Sequence, residues 1–199
     1  MRTRSLEGPR QVLTSALRVG LRNLELDSLL QFTRGKRLPL PRDPRDHCLT
    51  ANTETESWRA HLIETPRQIK ELLENTHRIA VLGIKPDSQQ PAAYVPEYAR
   101  NAGYEIVPVP VYYPDLTEMN GEKVYRKLVD IPGDIDMVNV FRRPNDIPPH
   151  VDDIIAKKPK SAWFQLGIRN DEAAEKLARA GIDVVQDHCL LVELRRIGK

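Results

Sequence analysis

Cysteine is scarce in this chain, with only Cys48 and Cys189 among 199 residues. So few thiols exclude both the disulfide framework of a small secreted protein and a zinc site built from several cysteines. Long apolar runs are also missing, because no stretch approaches the roughly 18–20 residues that a membrane-spanning helix needs. We therefore expect a cytoplasmic protein with no membrane partner.

An excess of charge of one sign is missing as well. The chain has 30 Lys and Arg against 28 Asp and Glu, a formal net charge of +2. This balance gives no whole-chain argument for nucleic acid as a partner, and we expect none. The small excess lies in residues 1–58, which carry 10 basic and 7 acidic residues, whereas residues 59–199 carry 20 and 21.

Residues 1–58 predict a poorly structured N-terminal arm. Residues 38–44 read Leu-Pro-Leu-Pro-Arg-Asp-Pro, which no helix or central strand accommodates. Three interpretations remain open: a solvated extension or misassigned start codon, an organellar transit peptide, or a basic docking arm. The transit peptide is suggested by the arginine-rich and acid-poor start of the chain. It would place the protein in an organelle instead of the cytoplasm.

Residues 59–199 alternate between predicted helices and strands, and we assign them to one domain. Thr65, Pro66 and Gln68 mark a helix start, with a capping threonine, an early proline and a glutamine three residues after the cap. The strands are short apolar runs, as expected when helices cover both faces of a sheet. The predicted strands span 78–83, 105–109, 136–141, 162–166 and 182–185; the predicted helices span 66–75, 91–102, 122–129, 148–156, 171–180 and a last segment from 190.

This alternation indicates right-handed crossovers between parallel strands. The predicted fold class is α/β: a doubly wound, Rossmann-like parallel sheet of five strands in the order 3-2-1-4-5. Ligands of such sheets bind beyond the carboxyl ends of the strands, where the strand order reverses. The predicted order puts that switch point between the first and fourth strands.

Glycine is sparse at the position where a dinucleotide site would need it. The loop after the first strand reads Gly83-Ile84-Lys85-Pro86, with one glycine instead of the three of G-x-G-x-x-G. Val109 and Pro110 follow the second strand, where that fingerprint expects an acidic residue. The sequence therefore argues against a nicotinamide cofactor, and an NAD-type oxidoreductase is kept as an alternative.

Basic residues gather at the other strand ends. Arg142 and Arg143 follow the third strand, and Lys85 and Arg169 lie on neighbouring loops. Guanidinium pairs bind phosphate groups through forked, charge-assisted hydrogen bonds. We expect a positive rim suited to phosphate, with pairing to surface carboxylates such as Asp146 as the alternative.

The sequence offers few candidate catalytic residues. His188 and Cys189 are neighbours, so in an extended segment their side chains point to opposite sides and do not form a nucleophile–base pair. We interpret Cys189 as a small buried hydrophobic residue and His150 as part of a solvated helix start. No histidine or cysteine has metal-ligand spacing. We predict no catalytic residue and no metal.

Five segments, taken in order, resemble a known family. They are residues 79–83, 103–109, 136–144, 163–167 and 184–189; the third reads Asp-Met-Val-Asn-Val-Phe-Arg-Arg-Pro and the last Val-Val-Gln-Asp-His-Cys. The series resembles the stand-alone CoA-binding domain proteins, Rossmann-like domains related to the CoA-binding domain of succinyl-CoA synthetase α subunits. The resemblance covers about residues 66–197 and implies a module that binds coenzyme A or an acyl-CoA without an evident reaction.

The resemblance also implies roles for single residues. The pyrophosphate or pantetheine would be met by Gly83, Ile84 and Lys85, and the adenosine would be bordered by Val109 and Pro110. The adenine side and the phosphates would contact Phe141, Arg142 and Arg143. The pantetheine path would be lined by Gln165, Gly167 and Ile168. The chain departs from the family pattern at Lys85, Pro110 and His188, where the family usually has a small residue, Asn and Arg.

Three further possibilities stay open at this stage. The chain could form a homodimer, through a patch that includes Tyr112 and Tyr113. It could also be a Rossmann-like scaffold for an unidentified protein partner. A Cys189 that faces the pantetheine end could form a mixed disulfide with the CoA thiol.

Overall fold

The computed structural model describes residues 57–199, so the predicted arm lies outside the described residues except for Ser57 and Trp58. The helices are α1 (Pro66–Glu74), α2 (Pro91–Asn101), α3 (Pro148–Lys157), α4 (Asp171–Arg179) and α5 (Leu190–Arg196). The strands are β1 (Arg78–Leu82), β2 (Glu105–Val109), β3 (Glu118–Met119), β4 (Glu122–Lys123), β5 (Met137–Val140), β6 (Ser161–Phe164) and β7 (Asp183–Val185). Short 3₁₀ turns span Ser57–His61, Leu128–Asp130 and Pro144–Asp146.

The helix starts follow from local sequence. The Thr65 side chain accepts a hydrogen bond from the Gln68 backbone, and the Gln68 side chain accepts one from the Thr65 backbone, which completes a capping box. The Asn170 side chain caps α4 by accepting from the Ala173 N–H at 2.9 Å. α1, α2 and α3 each have a proline in the first turn, where its missing N–H leaves no helical hydrogen bond unmade.

The main sheet has five parallel strands in the order β2-β1-β5-β6-β7. The predicted class, a five-stranded parallel α/β sheet of Rossmann-like type, is confirmed. The predicted order 3-2-1-4-5 is wrong: the five strands are ordered 2-1-3-4-5 along the chain. The switch point therefore lies between β1 and β5, not between the first and fourth strands.

Pro108 gives the physical reason for this order. Its carbonyl accepts a hydrogen bond from the Tyr125 N–H at 3.0 Å, on the side of β2 away from β1. The nitrogen of the same residue faces that outer side too, and a proline nitrogen has no hydrogen to donate to a further strand. β2 is therefore suited to the sheet edge, whereas the predicted order would have placed it inside.

The helix predicted over residues 122–129 is wrong. β3 and β4 form a two-stranded antiparallel hairpin there. The two residues between them, Asn120 and Gly121, have φ of 54° and 82°. Asn-Gly is the residue pair that a two-residue hairpin turn favours, because both positions need positive φ. Residues 122–123 are therefore a strand, and Leu128–Asp130 form only a short 3₁₀ turn.

Helices cover both faces of the sheet. Val138 and Val140 pack on one face with residues of α3 and α4. Met137, which points the other way, packs with residues of α1, α2 and α5. The two layers make the sheet doubly wound, and the loops after β1, β5 and β6 lie at its carboxyl end. No helix within residues 57–199 is long and apolar enough to cross a bilayer.

Candidate functional site

A cavity of about 450 Å³ opens at the carboxyl end of the sheet. That volume is within the range usual for small-molecule pockets, about 300–1,000 Å³. Its lining comes from the loops after β1, β5 and β6, from the first turns of α2 and from the residue before α5. The lining residues are Lys85, Gln90, Pro91, Ala92, Tyr94, Val95, Phe141, Arg142, Arg143, Pro144, Gln165, Leu166, Gly167, Ile168 and Cys189.

The turn after β1 brings two strand ends close together. Gly83 has φ of +85°, and a Cβ built on it would lie 2.6 Å from the Phe141 carbonyl oxygen. The Gly83 N–H donates to the Val109 carbonyl at 2.8 Å, and the Phe141 N–H donates to the Leu82 carbonyl at 2.9 Å. Glycine is required here both by its backbone conformation and by this approach. The cavity begins directly above this contact.

The charge of the lining is positive. Lys85, Arg142 and Arg143 are its charged members, and no acidic side chain belongs to it. Arg143 is exposed, and its guanidinium has no hydrogen-bond or ion-pair partner among residues 57–199. The Lys85 ammonium donates to the Gln90 side chain at 2.7 Å. Three of the four residues of the predicted positive rim therefore line one cavity, and their role in binding phosphate stays a prediction.

Arg169, the fourth predicted rim residue, is directed elsewhere. Its Nε lies 2.9 Å from the Asp171 carboxylate. It also lines a second concavity of about 420 Å³, together with Trp58, Glu175 and His188. Pairing with a surface carboxylate thus applies to Arg169 and to Arg142, which pairs with Asp146, whereas Arg143 has no such partner among residues 57–199.

Arg142 has a more enclosed position than its neighbour. Its side chain is 12% exposed, and its Nη2 lies 3.5 Å from the Asp146 carboxylate. The guanidinium carbon lies 5.4 Å from the centre of the Tyr112 ring, a cation–π distance. The Arg142 Nε is buried without a hydrogen-bond partner among the described residues.

His150 lies close enough to feel the charge of Arg142. Burial, followed by the positive charge of Arg142, lowers the pKa of His150 below its ordinary value, while Asp153 and Asp146 act in the opposite direction. His150 lies in the first turn of α3, as predicted, but its side chain is half-buried rather than solvated.

A buried amide network lies beneath the cavity. The Gln165 Nε2 donates to the Asn139 Oδ1 at 2.8 Å, and the Leu190 N–H donates to the Gln165 Oε1 at 3.2 Å. Asn139 is fully buried, and its Nδ2 has no partner within the described part of the chain. Strand alternation puts the Asn139 side chain on the α2 and α5 face, where the cavity opens.

Cys189 differs from its prediction. It is a half-buried free thiol on the cavity wall, not a fully buried hydrophobic residue. His188 points away, as predicted, with its Nδ1 3.2 Å from the Glu193 carboxylate. The His188 carbonyl accepts from the Trp163 indole N–H at 2.8 Å, which anchors the turn that presents Cys189.

The structure brings most of the predicted site residues together. The seven residues Lys85, Phe141, Arg142, Arg143, Gln165, Gly167 and Ile168 line the cavity. Gly83 lies below it, and Ile84, Val109 and Pro110 are buried outside its lining. Val109 and Pro110 end the edge strand, one strand away from the switch point, so their proposed adenosine contact stays a prediction.

Sequence reasoning missed the contribution of α2. Gln90, Pro91, Ala92, Tyr94 and Val95 line the cavity. With the first and third strands adjacent, the helix that follows β1 begins at the switch point, and Pro91 marked that beginning. No cluster of three or more potential metal-ligating side chains occurs within residues 57–199.

Comparison with known proteins agrees with this architecture. Residues 77–195 match the family described as CoA binding domain. The protein YneT of Bacillus subtilis is 36% identical over 125 residues, which are 63% of this chain and 90% of YneT.

Solved structures give the same result. A Thermus thermophilus protein, cell-free ID.343, is 37% identical with a TM-score of 0.63, over 67% of this chain and 99% of its own. A hypothetical protein of Pyrococcus horikoshii is 33% identical with a TM-score of 0.63, over 67% of this chain and 92% of its own. The chain belongs to the CoA-binding domain family.

Proposed function

We propose that the protein binds coenzyme A or an acyl-CoA in the switch-point cavity and does so as a stand-alone module without chemistry of its own. The observation that carries this proposal is a cavity with three basic lining residues and no acidic one, in a member of the CoA-binding domain family.

The anionic part of the ligand is matched by fixed positive groups. Arg143 supplies a free guanidinium, and Arg142 supplies a buried Nε that lacks an acceptor. The first turn of α2 lines the same space, and the positive end of its helix dipole favours negative charge there. Phosphate oxygens are the acceptors that satisfy this set.

The remaining walls suit a pantetheine arm, which alternates apolar carbons with amides. Val95, Phe141 and Ile168 supply apolar surface. Gln165 supplies an amide group on the cavity wall, held by its hydrogen bonds with Asn139 and Leu190. Apolar walls with a few convergent polar groups are typical of small-molecule sites.

The proposal of a binding module rests on the composition of the lining. It contains no histidine and no carboxylate, so neither a general base nor an acid with a suitable ordinary pKa faces the ligand. Cys189 is present without a histidine directed at it, because His188 bonds to Glu193.

Isothermal titration and thermal shift of the full chain test the proposal. We expect CoA and acetyl-CoA to bind, and saturation at about one hundred times Kd to add roughly 2.7 kcal/mol of stability, a Tm increase of several degrees. Arg143→Gln should weaken binding about tenfold, as expected for one charge-assisted hydrogen bond.

Arg67→Gln is the matched control, since Arg67 is an exposed α1 residue outside the cavity lining. It makes the same change of charge and should leave Kd unchanged. A Tm increase with NADH but not with CoA would instead support the oxidoreductase. A folded chain that binds neither would support a scaffold for a protein partner.

A further inference from the structure

We propose that Cys189 captures the thiol of bound coenzyme A as a mixed disulfide, so that the protein is a carrier of covalently held CoA under oxidising conditions. This inference rests on the proposed function and names a second, redox-dependent mode of the same site. It depends on two independent features of the cavity.

The first feature is the position of the thiol. Cys189 lines the cavity beside Gln165 and Gly167, and its side chain caps no backbone N–H of α5. It precedes α5, after β7, whereas Arg143 follows β5. Cys189 and Arg143 thus reach the same cavity from different loops.

The second feature is the amide of Gln165, which lines the cavity. Its Nε2 donates to the Asn139 Oδ1 and its Oε1 accepts from the Leu190 N–H, so the group is held in place. The Asn139 Nδ2 beneath it is wholly buried and lacks an acceptor among residues 57–199. The pantetheine arm of CoA has amide carbonyls shortly before its terminal thiol.

The proposal gives the bound molecule one direction, with its phosphates toward Arg142 and Arg143, its amides at Gln165 and its sulfur at Cys189. CoA has its anionic and thiol ends on opposite sides of its amides, and the cavity supplies basic residues, an amide and a thiol from separate loops.

The reaction is a thiol–disulfide exchange with CoA disulfide as the oxidant. The Cys189 sulfur attacks one sulfur of CoA disulfide, so that a Cys189–CoA bond forms and the CoA–CoA bond breaks. The second CoA leaves with the bonding electron pair and takes up the proton that Cys189 releases. Reduction by another thiol reverses the step.

Intact-mass spectrometry of the full chain tests the inference. Wild-type protein treated with CoA disulfide should gain the mass of one CoA less one hydrogen atom from each thiol. Cys48→Ser should gain the same adduct, whereas Cys189→Ser should not. An adduct that persists in Cys189→Ser and is lost in Cys48→Ser would overturn the assignment.

Glutathione disulfide separates guided capture from the reactivity of any accessible thiol. It is also an anionic disulfide, but it lacks the nucleotide and the pantetheine. Binding raises the effective concentration of CoA disulfide at Cys189, so its reaction with Cys48→Ser should be about tenfold faster or more. Equal rates for the two disulfides would refute capture through the site.

A CoA titration of Cys189→Ser separates this inference from the proposed function. If the variant binds CoA while Cys48→Ser forms no adduct with CoA disulfide, the redox mode fails and CoA binding stands. If neither reduced wild-type protein nor the variant binds CoA, both fail together.

Discussion

At the scale of the residue, Gly83 has the tightest surroundings of the glycines in the described chain. A Cβ at this position would meet the Phe141 carbonyl at 2.6 Å and the Arg142 side chain at 3.3 Å. The positive φ of Gly83 and the lack of room for a Cβ both disfavour any other residue at this position. A side chain here would push against the loop that carries Arg142 and Arg143.

We expect Gly83→Ala to destabilise the fold and to weaken CoA binding, because the β5 loop has to move away from the new methyl group. Gly181→Ala is the control: Gly181 has φ of +80°, but a Cβ there meets no atom within 4 Å. Gly181→Ala should lower the free energy of unfolding only by the cost of placing alanine in a left-handed backbone conformation, about 1–2 kcal/mol. The Kd for CoA should be unchanged. Urea denaturation and titration of both variants measure the difference, and equal losses would exclude a role for the contact with Phe141.

Residue positions predicted that Arg142, Arg143 and Gln165 lie near one another, and all three line the cavity; that they hold a ligand stays a prediction. Arg142, Arg143 and Gln165 follow buried strands, and in a parallel sheet such positions share one edge whatever the strand order. Cys189 and His150 were misjudged because their burial depends on neighbours distant in sequence. The unpaired Asn139 amide had no sequence signal, because an asparagine inside an apolar strand does not reveal its partners.

At the scale of the element, the sequence contained two local signals that the predicted topology did not use. Pro108 indicates an edge strand, and Asn120-Gly121 indicates a hairpin. Together they account for the wrong strand order and for the wrong helix over residues 122–129. The regular helices were predicted correctly because caps such as Thr65 and Asn170 act within a few residues.

Arg126 stabilises the loop between β2 and the hairpin. Its Nη2 donates to the carbonyl oxygens of Tyr113 at 2.9 Å, Pro114 at 2.9 Å and Leu116 at 2.5 Å. One guanidinium therefore replaces the regular hydrogen bonds that this irregular loop lacks. The same loop carries Tyr112, the ring beside Arg142.

We expect Arg126→Met to accelerate amide hydrogen exchange at Leu116, whose N–H bonds to the Tyr113 carbonyl at 3.0 Å. Loss of charge-assisted hydrogen bonds at about 1.5–3 kcal/mol each corresponds to an acceleration of about tenfold or more. Arg100→Met is the matched control, because Arg100 donates to the single carbonyl of Asn120 at 3.0 Å. Unchanged exchange at Leu116 in Arg126→Met would show that the loop is held by other contacts.

At the scale of the whole molecule, the cavity and a stabilising ion cluster lie at opposite ends of the parallel strands. The cavity is at the carboxyl end, and the cluster is at the amino end. The Asp136 carboxylate precedes β5 and accepts from the backbone N–H groups of His77 and Arg78, both at 3.0 Å. Its other oxygen lies 2.7 Å from the Lys160 ammonium. Burial alone would raise the pKa of Asp136, but the hydrogen bonds of Lys160, Arg78 and His77 outweigh it, and the pKa is lowered.

A lowered pKa determines the sign of the pH dependence. The contribution of Asp136 to stability is complete above the unfolded-state pKa, about 4, and decreases as the pH falls through the lower folded-state pKa. We expect Asp136→Asn to reduce the free energy of unfolding by about 1–3 kcal/mol at pH 7, and by less below pH 4. Urea denaturation at both pH values measures this.

Because the ion cluster and the cavity lie at opposite ends of the strands, we expect the Kd for CoA to be unchanged in Asp136→Asn. Lys160→Gln is the matched control, since it removes only the ion pair with a mostly exposed lysine, a loss of about 1 kcal/mol or less. A weakened Kd in Asp136→Asn would show that the cluster acts on the cavity through β5.

The hydrogen bond between Trp163 and His188 has an optical consequence. The chain has two tryptophans, Trp58 and Trp163. Trp163 is completely buried, and its indole N–H is tied to the residue that precedes Cys189. Any event that shifts the Cys189 turn alters the polarity and hydrogen bonding that an indole senses in its excited state. Trp58→Phe would leave Trp163 as the single emitter, so the fold contains a native fluorophore behind the wall of its own cavity.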